Sequence, residues 1–78
     1  MILSDLNLGE SGQVVGVTDF GEGDLVSRRL RNLGFVAGEE VVCVAKGPFG
    51  RDPLLFQIGF TRFALRKEEA GRVAIVAR

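Results

Sequence analysis

The chain has 78 residues, 46% of them hydrophobic, and its ten lysines and arginines balance its ten aspartates and glutamates. A chain of this length supports one domain with a modest core, and the high apolar content excludes an intrinsically disordered protein. Because the net charge is zero, no general basic surface is available for nucleic acid or anionic lipid. We therefore expect one domain over residues 1–78 and no nucleic acid partner.

The beginning of the chain predicts a short cap and then a strand. Leu3, Leu6 and Leu8 lie among polar residues, at a spacing that favours one helical turn whose leucines cover the core. Residues 13–20 are rich in valine and lead to glycines, so they are predicted as the first strand, with Phe20 in the core.

The next stretch carries the signals of a short amphipathic helix. Asp24 is a good N-cap residue, because its carboxylate can accept hydrogen bonds from the free N–H groups of the first turn. Val26, Leu30 and Leu33 then form one apolar stripe at helical spacing. A helix of roughly nine residues is unstable alone in water, so this stripe must cover one end of a small sheet.

Two glycines separate this helix from a second strand. Gly34 is predicted to end the helix in the left-handed conformation, with Phe35 folding back on Leu30 in a Schellman closure. Gly38 marks the following turn, and residues 40–46 form a valine-rich strand that contains the single cysteine, Cys43. We expect Cys43 to be a buried apolar side chain rather than a reactive thiol.

Residues 47–53 form a connection that is dense in turn-forming residues, namely Pro48, Gly50, Asp52 and Pro53. Phe49 lies near its tip, where it can either stay exposed as an aromatic anchor for a partner or fold back over the sheet. The sequence leaves both alternatives open.

The last third of the chain predicts three short strands. Leu54, Phe56, Ile58 and Phe60 alternate with other residues, so all four are expected in the core, as is Phe63 after the turn at residues 59–62. Residues 63–66 and 72–78 are predicted strands, and residues 67–70 one helical turn that Gly71 ends. The fold class is therefore mainly β: a small, five-stranded SH3-like barrel with one helix between strands 1 and 2 and a helical turn before the last strand.

Enzymatic and metal-binding chemistry are not expected. The chain has no histidine, which removes the commonest general base and transition-metal ligand. The carboxylates are scattered, and no phosphate-binding glycine motif occurs. We therefore predict no catalytic residues, no metal ligands and no cofactor. The absence of a basic leader and of about 20 consecutive apolar residues predicts a cytoplasmic protein.

The order of motifs resembles that of the ferrous iron transport protein A (FeoA) family over nearly the whole chain. The shared positions run from the helix to the helical turn before the last strand: Arg29, Leu30, Leu33, Gly34, Phe35, Gly38, Pro48, Gly50, Asp52, Pro53, Ala64, Leu65, Arg66, Glu69 and Ala70. Two positions depart from the family pattern: Ala37 replaces a usual proline, and Arg51 is inserted between Gly50 and Asp52.

The resemblance implies an SH3-like fold and an accessory role beside a ferrous iron permease, through the cytosolic GTP-binding domain of that permease. The protein would then meet the membrane only through this partner, and the open strand edges also allow a homodimer. Alternatives are a stand-alone domain of the metal-dependent repressor type, with a regulatory or transition-metal-binding role, and a nucleic-acid-contacting barrel.

The residues that could contact a partner are five arginines and one aromatic residue. We predict a contact surface made of Arg28, Arg29, Arg31, Phe49, Arg51 and Arg66. The alternative for the arginines of the helix is a solvated face that only interacts with the helix dipole.

Overall fold

Five short strands form one antiparallel sheet in this computed structural model, which describes residues 1–77. Along the chain, the elements are a 3₁₀ turn (Leu3–Asp5), β1 (Ser11–Val17), α1 (Leu25–Leu33), β2 (Glu40–Lys46), β3 (Leu54–Ile58), β4 (Thr61–Leu65), α2 (Lys67–Ala70) and β5 (Val73–Ala77). The strand order is β4-β3-β2-β1-β5, so β2 lies at the centre of the sheet. The predicted mainly β class with five strands and two helices is confirmed.

The sheet bends but does not close within residues 1–77. Its register shifts between Val14 and Gly16 of β1 and between Cys43 and Ala45 of β2, and bulges of this kind bend and twist a strand. β4 and β5 remain the two edges of the sheet and do not pair with each other. The predicted closure into a barrel is therefore not confirmed.

Apolar side chains from each of these elements meet in one core. The fully buried ones are Leu3, Leu30, Phe35, Val41, Cys43, Phe56, Leu65, Ala70 and Val73. The Phe35 ring contacts that of half-buried Phe63, with the ring centroids 5.6 Å apart. The predictions of a buried Cys43 and of a leucine cap are confirmed, except that Leu8 is 64% exposed.

Both ends of α1 are capped as the sequence predicted. The Asp24 carboxylate accepts hydrogen bonds from the Val26 and Ser27 N–H groups at 3.1 and 3.3 Å. At the other end, Gly34 adopts a left-handed conformation with φ 117°. Its N–H donates to the Arg31 carbonyl, and the Phe35 N–H donates to the Leu30 carbonyl, both at 3.1 Å, which is the Schellman pattern.

The prediction that Phe20 and Phe60 lie in the core is wrong. Both residues lie where a strand ends earlier than the sequence suggested. β1 spans Ser11–Val17 rather than residues 13–20, and Phe20, in the loop that follows, is 68% exposed. β3 ends at Ile58 because Gly59 adopts φ 59° in the turn to β4. Phe60 therefore lies at the apex of this turn, fully exposed, instead of continuing the alternation.

Candidate functional site

Asp24 does more than cap α1, because its carboxylate also joins two distant parts of the chain. Its Oδ2 accepts a hydrogen bond from the Phe20 N–H at 3.0 Å and pairs with the Arg72 guanidinium, which lies just before β5. In this ion pair, the Arg72 side chain is 14% exposed and the Asp24 side chain 9% exposed. These hydrogen bonds, with that from the Phe20 N–H contributing most, hold the pKa of Asp24 well below its usual range.

Ser27 and Thr18 complete what we call the Asp24–Arg72 cluster, which comprises Thr18, Phe20, Asp24, Ser27 and Arg72. The buried Ser27 hydroxyl lies 2.9 Å from Asp24 Oδ2 and 2.8 Å from the Thr18 carbonyl, so it can donate to either oxygen. The Thr18 N–H donates to the Arg72 carbonyl at 2.8 Å. The cluster therefore ties the loop after β1 to the start of α1 and to the start of β5.

The exposed Phe20 ring has a defined role in this cluster. Arg72 Cζ lies 4.4 Å from the centroid of the Phe20 ring, a cation–π contact. The ring covers the guanidinium from solvent, while Arg72 Nε is buried without a hydrogen-bond partner among the described residues. Phe20 thus shields an ion pair rather than filling the core.

Two of the three α1 arginines predicted to meet a partner are engaged within the chain. Arg29 forms an ion pair with Glu69 of α2 at 2.5 Å. Arg31 donates to both carboxylate oxygens of Asp19, at 3.0 and 2.9 Å, and to the Val17 carbonyl at 2.9 Å. The Arg31 side chain holds the pKa of Asp19 below its usual range.

A surface pocket of about 360 Å³ lies beside this face of α1. Its lining includes the carboxylates of Asp19 and Glu22 and the guanidinium groups of Arg28 and Arg31. Arg28 is exposed and forms no ion pair or hydrogen bond through its side chain with residues 1–77. The pocket therefore mixes both signs of charge, and Asp19 and Arg31 in its lining already pair with each other.

The connection from β2 to β3 is fixed by backbone contacts at its base. The Gly47 N–H donates to the Pro53 carbonyl at 2.7 Å, and the Asp52 side chain accepts a hydrogen bond from the Lys67 N–H of α2 at 3.0 Å. A Cβ atom at Gly47 would lie 2.7 Å from the Asp52 carbonyl oxygen, so only glycine fits this position. Arg51 adopts a left-handed conformation with φ 66°.

A second pocket, which we call the basic pocket, lies between this connection and the N-terminal cap. It has a volume of about 480 Å³ and is lined by Asn7, Leu8, Lys46, Gly47 and Arg51. Within residues 1–77, neither the Lys46 ammonium nor the Arg51 guanidinium has a carboxylate or hydrogen-bond partner. The set of residues predicted to contact a partner includes Arg51 but not Lys46, which the sequence placed at the end of a strand, nor Leu8, which it placed over the core.

The six residues predicted to contact a partner do not form one surface. Arg51 lies in the basic pocket, and Phe49, 79% exposed, lies on the same connection. Arg66 precedes α2, where its backbone N–H donates to Glu69 at 2.9 Å and its side chain is exposed. The α1 arginines surround a different pocket, so the sequence-predicted set divides into at least two regions.

Residues 1–77 contain no group of three or more histidine, cysteine or acidic side chains placed to hold a metal ion. No helix in this part of the chain is both long and apolar enough to cross a bilayer.

Comparison with known proteins identifies the family. The sequence profile of the FeoA domain matches residues 1–77. The chain belongs to the FeoA family. No curated protein sequence matches it. The resemblance in the order of motifs is thereby confirmed, and it extends over nearly all of the chain.

Solved FeoA structures share the fold. FeoA from Stenotrophomonas maltophilia is 59% identical to this chain and superimposes with a TM-score of 0.88. The match covers 96% of this chain and 88% of that protein. That protein was crystallised with zinc and described as a prokaryotic SH3-domain protein, with a suggested role as a ferrous iron transport activating factor. FeoA from Chlorobium tepidum is 30% identical, with 99% of this chain and 70% of that chain covered and a TM-score of 0.83. The predicted SH3-like fold is therefore confirmed.

A manganese-dependent transcriptional repressor contains the same fold within a longer chain. It is 17% identical and has a TM-score of 0.84, and the match covers all of this chain but 41% of the repressor. At this identity the likeness shows a common fold only.

Proposed function

We propose that this protein is a non-enzymatic accessory factor of bacterial ferrous iron uptake, which acts in the cytoplasm by docking on the cytosolic GTP-binding domain of a ferrous iron permease. Membership of the FeoA family carries the proposal. The role suggested for the Stenotrophomonas maltophilia relative, as an activating factor of ferrous iron transport, supports it.

The surface of the molecule also supports a docking role. Phe49, Phe60 and Leu8 are 79%, 106% and 64% exposed, although large apolar side chains gain free energy when they are removed from water. Aromatic and arginine side chains are the groups that contribute most to protein–protein interfaces. Arg51 supplies such a guanidinium group without a side-chain partner in residues 1–77.

The test is a calorimetric titration of the protein with the isolated cytosolic domain of the permease, with and without guanine nucleotide. We expect saturable binding with a Kd below about 100 μM, the range of weak but specific complexes. A GTPase domain of similar size and charge that is unrelated to iron transport serves as the control and should not bind. No saturation at about 100 μM with either nucleotide state would refute the proposed docking.

A further inference from the structure

We propose that the basic pocket receives an acidic segment of the protein partner, with a carboxylate between Lys46 and Arg51 and an adjacent apolar side chain against Leu8 and Phe49. This inference rests on the proposed function, since it names the surface through which docking occurs.

The charge of the pocket is the first argument. Lys46 and Arg51 are its charged lining residues, and both lack an internal partner within residues 1–77. The carboxylates on the neighbouring turns point to backbone groups instead: Glu10 accepts from the Asn7 N–H at 2.7 Å, and Asp52 accepts from the Lys67 N–H at 3.0 Å. Neither carboxylate forms an ion pair with Lys46 or Arg51, so both cations keep their hydrogen-bond donors for a carboxylate of a partner.

The pocket beside α1 does not offer the same complementarity. Of its two arginines, Arg31 is occupied by Asp19 and by the Val17 carbonyl, and Glu22 adds a further negative charge. An acidic segment placed there would meet carboxylates as well as Arg28, and like charges in contact disfavour a complex.

An exposed apolar side chain in the pocket lining, and a second one two residues along the chain from the lining residues Gly47 and Arg51, favour a peptide segment over a free anion. Leu8 is 64% exposed in the pocket lining, and Phe49 lies on the connection between Gly47 and Arg51 with 79% of its surface exposed. An inorganic anion would use the charges alone, whereas a segment with an apolar side chain beside its carboxylate would cover these groups as well. A volume of about 480 Å³ accommodates a few side chains.

Both walls of the pocket are fixed before a partner binds. The wall that carries Asn7 and Leu8 is hydrogen-bonded to the central strand, through the Gly9 N–H to the Cys43 carbonyl at 2.7 Å and the Cys43 N–H to the Glu10 carbonyl at 3.0 Å. The opposite wall is closed by the Gly47 N–H to the Pro53 carbonyl at 2.7 Å. A preformed site loses less conformational entropy on binding than a mobile one.

The experiment compares two double variants that each remove two positive charges. Lys46→Gln with Arg51→Asn neutralises the basic pocket, and asparagine tolerates the left-handed conformation of position 51. Arg28→Gln with Arg66→Gln is the matched control, since these side chains likewise form no ion pair or hydrogen bond within the described part of the chain. Both are titrated with the permease domain under the conditions used for the unchanged protein.

We expect the pocket variant to weaken binding about tenfold or more and the control by no more than about threefold. Unchanged binding by the pocket variant, or equal losses in the two variants, would overturn the pocket as the docking surface while leaving the proposed function in place.

A second probe decides the inference if the permease domain does not bind at all, an outcome that refutes the proposed function. The peptide acetyl-Glu-Glu-Leu-Phe-amide is added up to about 5 mM, a range that detects weak binding, and amide chemical shifts of the protein are recorded. Shifts centred on Leu8, Lys46 and Gly47, absent in the pocket variant, support an acidic-peptide site. No shifts there, or tighter binding of a single-stranded RNA oligomer, would overturn it.

Discussion

At the Asp24–Arg72 cluster, a carboxylate and a guanidinium meet each other and a set of backbone groups, whereas in the basic pocket Lys46 and Arg51 meet no charged group of residues 1–77. Both regions are built from loops beside the same small sheet. In the cluster, charge holds three segments of chain together. In the pocket, backbone hydrogen bonds hold the walls, and the charged groups of Lys46 and Arg51 remain available to a partner.

This difference shows why a count of arginines does not locate an interface. The chain is electrically neutral, and its arginines divide into those that stabilise the fold, such as Arg31 and Arg72, and those without an internal partner, such as Arg51. Only the second group retains its full interaction energy for another molecule. Three substitutions and one change of pH test this division.

Asp24→Ala should have the largest effect on stability. It removes the N-cap of α1, the acceptor for the Phe20 N–H and the only charged partner of Arg72 among the described residues. We expect the Tm to fall by about 10–15 °C, because a lost cap and a buried, unpaired guanidinium act together in a small domain. Thermal unfolding followed by circular dichroism measures it. A fall of no more than about 2 °C would remove the contrast between the two regions.

Gly47→Ala should destabilise the basic pocket by displacing the backbone of the connection from β2 to β3. The added Cβ would lie 2.7 Å from the Asp52 carbonyl oxygen, so the base of the connection must move. We expect the Tm to fall by about 5–10 °C. Gly16→Ala is the matched control, since nothing lies within 4 Å of a Cβ at that position, and it should leave the Tm within about 2 °C. Equal effects of the two substitutions would show that the connection is not held as tightly as described.

Acid should weaken the cluster through Asp24. The pKa of this carboxyl lies below its ordinary value of 3.8, so the unfolded chain takes up the proton more readily than the folded protein. Its contribution to stability is therefore complete above the ordinary value and is lost as the pH falls toward the lowered one. We expect the Tm of the unchanged protein to fall about 5 °C more than that of Asp24→Asn between about pH 6 and pH 2.5. Parallel pH profiles for the two proteins would contradict this assignment.

Arg51→Asn should change stability least and in the opposite direction. Arginine at φ 66° adopts a conformation that disfavours most side chains, whereas asparagine tolerates it. We expect a rise in Tm of about 2 °C, with Arg51→Lys unchanged as the control. A fall in Tm would mean that the Arg51 side chain stabilises the fold and is not held in reserve for a partner.

The local features of the fold could be predicted from the sequence because each is signalled within a few residues. The caps of α1 at Asp24 and Gly34 and the bounds of β2 follow from side-chain chemistry and glycine geometry, and all are confirmed. Phe60 shows the limit of periodicity, because a period-two pattern continues through a tight turn that reverses the chain. Barrel closure depends on long-range strand pairing, which no local pattern determines.

The candidate surfaces could be predicted only in part, because they depend on contacts between distant residues. Arg72 lies 48 positions after Asp24, and no motif connects the two. Likewise, Leu8 and Lys46 become neighbours only when the N-terminal cap packs beside the end of β2. The exposed positions of Phe49 and Arg51 could be predicted, because a seven-residue connection dense in turn formers indicates exposure by itself.

The single thiol makes the opening of the sheet measurable without any change to the protein. Cys43 is fully buried in the central strand, and burial raises the pKa of its thiol, so a water-soluble alkylating reagent reaches it only when β2 separates from its neighbours. The rate of alkylation then measures how often β2 separates from its neighbouring strands. Measured with and without a bound partner, the alkylation rate of Cys43 would show how far binding at the basic pocket suppresses the opening of the central strand.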